Sequence, residues 1–230
     1  NYMFPSVRIT TDDIESSWTG LRPLIFEEGK KESEISRKDE IWISASGLLT
    51  IAGGKLTGYR KMAQMVVDRL VELLRKEGID RFTPCVTKYM PISGGKVGGS
   101  EGFPAFIEKQ MRLGPQYGLT IQEAEGLVRR YGSNIEGIYK MAAAYKQESL
   151  QFDMPLYVTA MLMYAIEEEL AVKPVDFFIR RTGALFFDID WVRRYKAPVI
   201  ALMAARLGWS EETTRQYAEE LELHLRHAVV

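Results

Sequence analysis

The spacing of apolar residues divides the chain into two parts. In the first part, residues 41–46 and 48–52 are two short runs rich in β-forming residues, which Gly47 separates and the pair Gly53-Gly54 ends. Branched and aromatic residues bounded by glycine are typical of strands. We therefore predict two strands or one bent hairpin in this region.

A long helix is predicted directly after these glycines. Arg75 and Lys76 lie in its last turn and Gly78 lies just beyond it, which are common signals of a helix end. Its apolar positions recur at helical spacing, and they are Met62, Met65, Val66, Leu70, Leu73 and Leu74. The pattern predicts an amphipathic helix of about five turns.

Two more strands are predicted nearer the N-terminus. They comprise Val7–Ile9 and the region Trp18–Leu24, where Pro23 removes one backbone donor. Because an isolated strand has no partner for its backbone groups, we expect Val7–Ile9 to have neighbours outside this chain. The sequence therefore indicates part of a longer protein.

A glycine-rich segment, Gly94–Gly102, marks the change to the second part of the chain. It lacks the Gly-Lys-Ser/Thr ending of a phosphate-binding loop, and no clear strand precedes it. Glycine clusters between periodic segments are usually loops, so we interpret this segment as a mobile linker.

The second part is predicted to be almost entirely helical. Thr120 and Glu123 form a capping-box pattern that begins a helix toward Tyr131. We expect about six helices in this part, the others lying at 135–145, 155–171, 175–182, from Asp190 to Gly208 with a kink or break at Pro198, and from Ser210 onward.

Composition limits the classes of function. The 30 Lys and Arg residues nearly balance 31 Asp and Glu residues, so no overall positive field favours nucleic acid. Cys85 is the single cysteine, which excludes an internal disulfide and a cysteine-rich zinc site. The N-terminal residues do not follow a secretory pattern, and no apolar run reaches the length of a membrane span. We expect a soluble, cytoplasmic protein that does not bind nucleic acid.

The segment Gly53-Gly54-Lys55-Leu56-Thr57 is the first candidate site, because it joins a predicted strand to a predicted helix. Glycines allow a ligand to approach the backbone, and the first N–H groups of a helix stabilise negative charge. Lys55 would add a mobile positive charge. A phosphate or a reduced flavin would suit such a site, and a tight structural turn explains the spacing equally well.

Arg22 is the second candidate, because it lies between apolar residues on a predicted strand. A buried guanidinium requires an anion or a carboxylate partner. On its own this pattern favours an internal ion pair over a ligand site.

Two weaker features do not predict a metal site. His224 and His227 lie three residues apart, but no carboxylate or thiolate cluster accompanies them in the sequence. Glu167, Glu168 and Glu169 are consecutive, so on a helix their side chains diverge. We expect these acids to be solvated or paired with arginines at 180 and 181.

Together these segments resemble a known family. The stretches that carry the resemblance are Ser17–Leu24, Ile35–Ile41, Ser46–Ala63, Arg180–Thr182 and Leu202–Ser210. In order and spacing they are similar to the FAD-dependent, quinone-linked glycerol-3-phosphate dehydrogenases, and they cover nearly the whole chain. The resemblance identifies this chain with the C-terminal portion of such an enzyme.

The resemblance implies a mainly α fold, in which a helical C-terminal domain follows a short α/β remnant of an FAD-binding and substrate domain. The expected divisions are 1–83 for the remnant, 84–103 for the linker and 104–230 for the helical domain. Gly58 departs from the family pattern, since many members have a second threonine there. The Gly-x-Gly-x-x-Gly fingerprint of the family is absent from the sequence, so we do not expect this chain alone to bind FAD tightly.

The implied reaction is oxidation of sn-glycerol 3-phosphate to dihydroxyacetone phosphate by hydride transfer to FAD, with electrons passing to a membrane quinone. By resemblance, Arg22 meets oxygens of the substrate, and Gly53, Gly54, Lys55, Leu56 and Thr57 meet the pyrimidine side of the flavin. Peripheral attachment to the inner face of the membrane is a further family expectation. Two alternatives stay open, a glycerol-3-phosphate oxidase that uses oxygen and a non-catalytic helical module that forms a homodimer or binds a partner.

Overall fold

The structure is a computed structural model that describes residues 3, 5–21, 25, 29, 39–53 and 55–229. The chain separates into two compact units. One contains residues 20–90, and the other contains residues 1–19 together with 91–230. The part of the chain that the structure describes is 64% helical and 4% strand, which confirms the predicted mainly α fold with a small β element.

The unit of residues 20–90 contains the predicted hairpin and long helix. Strands β1 (Glu40–Ile43) and β2 (Leu49–Ala52) are antiparallel, and Glu40 is opposite Ala52. Gly47 allows the turn between them because its φ of +83° is one that side chains disfavour. The hairpin alternative is therefore the correct one.

The predicted helix is α1, which spans Tyr59–Lys76. Gly78 follows it with a positive φ, and the Ile79 amide donates to the Leu74 carbonyl over 3.0 Å. In α1, all of which the structure describes, no residue is fully buried although its apolar residues form a clear stripe. Within this unit the stripe is therefore only partly covered.

The other unit is a bundle of helices. They are α2 (Gly99–Met111), α3 (Ile121–Tyr131), α4 (Ile135–Ala144), α5 (Lys146–Gln151), α6 (Leu156–Glu167), α7 (Ala184–Phe187), α8 (Ile189–Leu207) and α9 (Glu211–Ala228), with a π-helical turn at Asp176–Arg181. Short 3-10 turns lie at Thr11–Asp13, Leu56–Gly58, Thr87–Tyr89, Gly114–Tyr117 and Gly132–Asn134 of the chain.

The core of this bundle surrounds α6. Residues 158–163 of that helix are all buried, so it is enclosed on every side as expected of a central helix. Helix α4 packs against α6, and α2 packs against α3. Ile135, Leu162, Phe177 and Phe178 are among the fully buried side chains. The bundle thus has one continuous hydrophobic core.

The N-terminal strand predictions are wrong for the described residues. Val7–Ile9 and residues 18–21 are irregular, while residues 22–24 lie outside the described part of the chain. Branched residues favour a strand only where a partner strand can accept their backbone hydrogen bonds. Among the described residues, β1 and β2 pair only with each other.

The glycine-rich segment differs from the predicted loop. Helix α2 already begins at Gly99, and the Ser133 amide donates to the Gly94 carbonyl over 2.9 Å. Asn134 Nδ2 also donates to Ser93 Oγ over 2.8 Å. Glycine suits this place because backbone segments approach each other closely and glycine has no side chain, which is a second common reason for a glycine cluster.

Several helix limits also differ from the predictions. Asp188, and not Asp190, caps α8 by accepting a hydrogen bond from the Trp191 amide, and α8 continues through Pro198 without a break. Helix α6 ends at Glu167 because Leu170 has a φ of +57°. The helix predicted at 175–182 is a π-helical turn, a form that apolar spacing over so few residues does not distinguish from an α-helix.

Candidate functional site

The predicted strand-to-helix junction is present in the structure. Strand β2 ends at Ala52, Gly53 has a φ of +87°, and a 3-10 turn at Leu56–Gly58 leads into α1. The left-handed backbone at Gly53 turns the chain out of the hairpin. Gly54 lies outside the described residues. The N-terminus of α1 therefore follows the glycines after one extra turn.

The side chains of this junction are exposed. Lys55 and Thr57 lie on the surface, and Leu56 is 91% exposed. A single exposed leucine costs little free energy. Leu56, however, lies in the turn that leads into α1, where the first backbone N–H groups of the helix have no intrahelical partner. Within residues 39–90 the junction is thus open to a ligand or to another part of a larger protein.

The first turn of α1 carries only positive charge. It contains Arg60 and Lys61 and no acidic residue, although acids normally occupy this position because they stabilise the positive end of a helix. Arg60 Nη1 donates to Gln64 Oε1 over 3.2 Å and to Thr87 Oγ1 over 3.3 Å. Lys55, Arg60 and Lys61 together with the helix dipole favour an anion here.

Arg60 and Lys61 were not among the residues predicted from the sequence. Two basic residues in the first turn of a predicted helix were nevertheless a usable signal of an anion site.

Cys85 also lies in this unit, where Thr87 Oγ1 is 3.1 Å from Cys85 Sγ. Hydrogen bonding to Thr87, with a smaller effect from Arg60, lowers the pKa of this exposed thiol. The thiolate form of Cys85 is therefore favoured relative to that of an ordinary cysteine.

Arg22 and Gly54 both lie outside the described residues. The structure therefore does not show where Arg22 lies relative to the junction. Its predicted role stays a prediction. Residues 16–18, which precede it, contact α7 and the end of α9.

The helical unit contains a separate cleft of about 650 Å³ between α3, α6 and α8. Trp191 Nε1 donates to Tyr157 Oη over 3.0 Å, and Arg130 Nη1 donates to the Thr182 carbonyl over 2.9 Å. Glu123 and Asp188 also line the cleft, but each caps a helix. These five side chains thus have structural partners within the bundle.

The histidines and the acidic run do not form a metal site in the described part of the chain. His224 and His227 are exposed on α9, and no group of three potential metal-binding residues occurs among the described positions. Glu169 pairs with Arg181 at 3.6 Å, as predicted. Arg180 instead pairs with Asp176 at 2.5 Å, and Glu167 accepts from Arg206 at 2.8 Å.

Among the described residues, none of the helices combines the length and the apolar character that crossing a membrane requires.

Two relatives match the chain along all or nearly all of its length. The aerobic glycerol-3-phosphate dehydrogenase of Bacillus subtilis is 53% identical over 230 residues, which is 100% of this chain and 41% of that protein. The enzyme of the same name from Staphylococcus aureus strain USA300 is 47% identical over 228 residues, covering 99% of this chain and 41% of the relative. This chain thus spans about two fifths of their length.

A solved structure has the same fold. The crystal structure of glycerol-3-phosphate dehydrogenase from Bacillus halodurans complexed with FAD matches with a TM-score of 0.87 and 43% identity, over 100% of this chain and 43% of the other. These similarities confirm the resemblance found in the sequence. Residues 85–214 match the family described as the C-terminal domain of alpha-glycerophosphate oxidase, and the chain belongs to that family.

Proposed function

We propose that this chain is the C-terminal part of a flavin-dependent enzyme that oxidises sn-glycerol 3-phosphate to dihydroxyacetone phosphate. The observation that carries the proposal is the 53% identity to an aerobic glycerol-3-phosphate dehydrogenase along the whole chain. The match to a dehydrogenase crystallised with FAD supports the cofactor. The whole protein would include the larger part of the relatives that this chain does not span.

The junction after β2 suits the flavin. Gly53, Gly54, Lys55, Leu56 and Thr57 would hold its pyrimidine side, since Gly53 has a positive φ and the side chains of Lys55, Leu56 and Thr57 are exposed. Bound FAD would supply the acceptor for the hydride that leaves C2 of the substrate. Lys55 and the N–H groups at the start of α1 would stabilise negative charge there.

Arg22 would bind the substrate. Its guanidinium offers several N–H donors in a planar arrangement that matches phosphate and hydroxyl oxygens. By holding these oxygens, Arg22 would orient the carbon that loses the hydride, and orientation of this kind lowers the barrier without a covalent step. Arg22 would thus act through binding and would not transfer a proton.

The proposed domain organisation is 1–83 for the remnant of the FAD and substrate domain, 84–103 for a connecting segment and 104–230 for the helical domain. In the proposed cytoplasmic enzyme, electrons would leave the flavin for a quinone. Peripheral contact with the inner face of the membrane and a homodimer belong to the same proposal. Each concerns the whole enzyme.

Oxygen is a second candidate for the electron acceptor, because the matched family is described from an alpha-glycerophosphate oxidase. Hydrogen peroxide formed during turnover of the full-length enzyme in air would distinguish the two acceptors. Stoichiometric peroxide would identify an oxidase, whereas reduction of a quinone analogue without peroxide would identify a dehydrogenase.

The experiment that tests the proposed function compares the full-length enzyme with its Arg22→Ala and Arg22→Lys variants, using dye reduction by glycerol 3-phosphate. We expect Arg22→Ala to lose about 100-fold or more in kcat/KM while FAD is retained, because a charged hydrogen-bonding partner of the substrate is removed. Arg22→Lys should recover a part of the activity, since it restores the charge but not the planar geometry.

Two results would contradict the proposal. A wild-type enzyme with bound flavin and no activity on glycerol 3-phosphate would refute the substrate. Full activity of Arg22→Ala would show that Arg22 forms a structural ion pair.

A further inference from the structure

The cleft between α3, α6 and α8 has the size and the apolar surface of a small-molecule site. Its volume of about 650 Å³ is within the range of roughly 300–1,000 Å³ that is typical of such sites. Leu127 and Met161 line it, and both are buried. Tyr157 and Trp191 add two half-buried rings, which the hydrogen bond between them holds in a fixed arrangement. The cleft therefore offers rigid apolar surface to a ligand.

Gly126 shapes the wall that α3 contributes to this cleft. Glycine is less favourable than alanine by about 1 kcal/mol inside a helix, so a glycine in the middle of α3 requires a reason. Close packing explains Gly137 of α4, where a Cβ would lie 2.7 Å from Tyr164 Cε2. It does not explain Gly126, because a Cβ there would meet no atom of the described residues within 4 Å. Gly126 instead leaves the wall without a side chain, so that a flat molecule can approach the backbone.

The π-helical turn at Asp176–Arg181 leads directly to the cleft. The Thr182 amide and Thr182 Oγ1 both donate to the Phe177 carbonyl over 2.9 Å. Turns of this kind are uncommon and are frequently found at functional sites. Thr182 also belongs to a stretch that carries the family resemblance, and the proposed flavin and substrate roles do not use that stretch. The carbonyl of Thr182 accepts a hydrogen bond from Arg130, and both residues line the cleft.

Arg130 supplies the charge that can recognise a ligand in this cleft. Its Nη1 donates to the neutral Thr182 carbonyl, and among the described residues no carboxylate lies within 4.0 Å of its guanidinium. The neighbouring Arg129 instead pairs with Glu125 at 2.7 Å, and neither of these two residues lines the cleft. A guanidinium has several N–H donors, so Arg130 can bind a second acceptor while it keeps its contact with Thr182. Arg130 also lies one helical turn from Gly126, on the same face of α3.

Two carboxylates of the cleft are held by their own helices. Glu123 Oε2 accepts from the Thr120 amide over 2.8 Å, and Asp188 Oδ1 accepts from the Trp191 amide over 3.1 Å. Each carboxylate lies at a helix N-terminus, where the helix dipole stabilises its negative charge. A cationic ligand would compete with these contacts, whereas an anionic ligand requires only the remaining donors of Arg130.

We propose that this cleft binds a small planar aromatic molecule that carries one acidic group. The ring contacts the bare wall at Gly126 and the rings of Tyr157 and Trp191, and the acidic group binds to Arg130. The proposal assigns a ligand-binding function to the helical domain. It does not rest on the proposed reaction, because it uses neither Arg22 nor residues 53–57.

Calorimetric titration of the full-length, FAD-bound enzyme with 2-naphthoate tests the proposal, since this probe has a planar double ring and a single carboxylate. Gly126→Trp should weaken binding by about 20-fold or more, because its side chain fills the cleft. Gly126→Ala is the control at the same position and should change the dissociation constant by less than about threefold, because one methyl group leaves most of the cleft open. Gly126→Leu takes the place of Gly126→Trp if the tryptophan variant does not fold.

The neutral probe 2-naphthylmethanol separates the role of Arg130 from that of the rings. Arg130→Gln should weaken binding of 2-naphthoate about tenfold, because it removes the charge but keeps a donor for the Thr182 carbonyl. The same variant should leave the binding of 2-naphthylmethanol unchanged. Arg129→Gln is the matched control, since it makes the same change of charge at a residue that does not line the cleft, and it should leave both affinities unchanged.

Melting temperature and flavin content verify that each variant is folded. A wild-type enzyme that does not bind 2-naphthoate in the millimolar range, or binding that Gly126→Trp leaves intact, would overturn the proposed site. Equal losses in Arg130→Gln and Arg129→Gln would overturn the role of Arg130. Tighter binding of 2-naphthylmethanol or of 2-naphthylmethylammonium than of 2-naphthoate would overturn the acidic class of ligand.

Discussion

Tyr139 is a polar residue whose burial has a measurable consequence. Its side chain is 2% exposed, its ring stacks on Tyr117 at 4.7 Å, and its hydroxyl donates to the Gln110 carbonyl over 2.8 Å. Burial, with a smaller contribution from Tyr117, raises the pKa of Tyr139 from 10.0 to about 12. The folded chain therefore favours the neutral phenol in the bundle core.

The stability of the chain should depend on this pKa at alkaline pH. An unfolded tyrosine ionises near pH 10, while the folded Tyr139 stays neutral up to about pH 12. The unfolded state thus loses its proton first, so the contribution of Tyr139 to stability is complete below pH 10 and disappears as the pH rises toward 12.

We predict that Tyr139→Phe lowers the free energy of unfolding by about 1 kcal/mol at neutral pH, through loss of the hydrogen bond. Above pH 10 the difference from wild type should narrow, because the variant has no phenol to ionise in the unfolded state. Urea denaturation at several pH values measures both effects. A difference that stays constant with pH would contradict the raised pKa of Tyr139.

Thr120 illustrates a residue whose role was readable from the sequence. Its hydroxyl accepts from the Glu123 amide over 3.2 Å, while the Thr120 amide donates to Glu123 Oε2 over 2.8 Å. The predicted capping box is thus confirmed. The reason is that both partners lie within four residues, so local chemistry is sufficient to form it.

We predict that Thr120→Ala destabilises the chain by about 1 kcal/mol, because the first turn of α3 loses a side-chain cap. Gln122→Ala is the control, since it alters an exposed residue of the same turn and leaves the cap in place. Thermal denaturation of the two variants compares them directly. Equal changes in melting temperature would mean that the cap contributes nothing.

At the scale of elements, the connection between α3 and α4 depends on a close backbone approach. Gly132 has a φ of +52°, and a Cβ placed there would lie 2.1 Å from the Gly94 carbonyl oxygen. This contact joins the segment before α2 to the end of α3. Gly126, in the middle of α3, has open space where a Cβ would lie.

We predict opposite effects for alanine at these two glycines. Gly132→Ala should destabilise the chain by about 3 kcal/mol or more, because the backbone must shift and the φ is unfavourable. Gly126→Ala should stabilise it by about 0.5–1 kcal/mol through helix propensity. Chemical denaturation of both variants tests the pair, and a neutral Gly132→Ala would show that the approach to Gly94 is not required.

The helices show which element properties local sequence determines. Gly208 ends α8 and Ser210 begins α9, both as predicted, because caps act within one turn. The cap of α8 was assigned to Asp190 and is Asp188, since two acids two residues apart give the same local signal. Their distinction depends on how Ile189 and Val192 are buried, which is a property of the bundle.

At the scale of the whole molecule, the proposed flavin site is one short segment of the chain, residues 53–57. The sequence lacks the Gly-x-Gly-x-x-Gly fingerprint, and the junction side chains at Lys55, Leu56 and Thr57 are exposed. A dinucleotide normally gains much of its affinity from that fingerprint and the helix that follows it.

We predict that the purified 230-residue chain contains no stoichiometric FAD, whereas the full-length enzyme does. Visible flavin absorbance per mole of protein measures this. The matched comparison is the same chain incubated with excess FAD and then desalted. Stoichiometric flavin retained after desalting would contradict the prediction, and would mean that residues 53–57 bind FAD without the fingerprint.

The sequence alone determined the family of this protein through the order of its motifs. It also determined several of the elements, because caps, turns and periodic apolar positions act over a few residues. The hairpin at Gly47, the helix α1 and the capping box at Thr120 all follow from such short-range chemistry. Only the tertiary structure decided which distant residues meet. It joined Ser17 to Ala228 and Gly94 to Ser133, since contacts between remote residues depend on how whole helices pack.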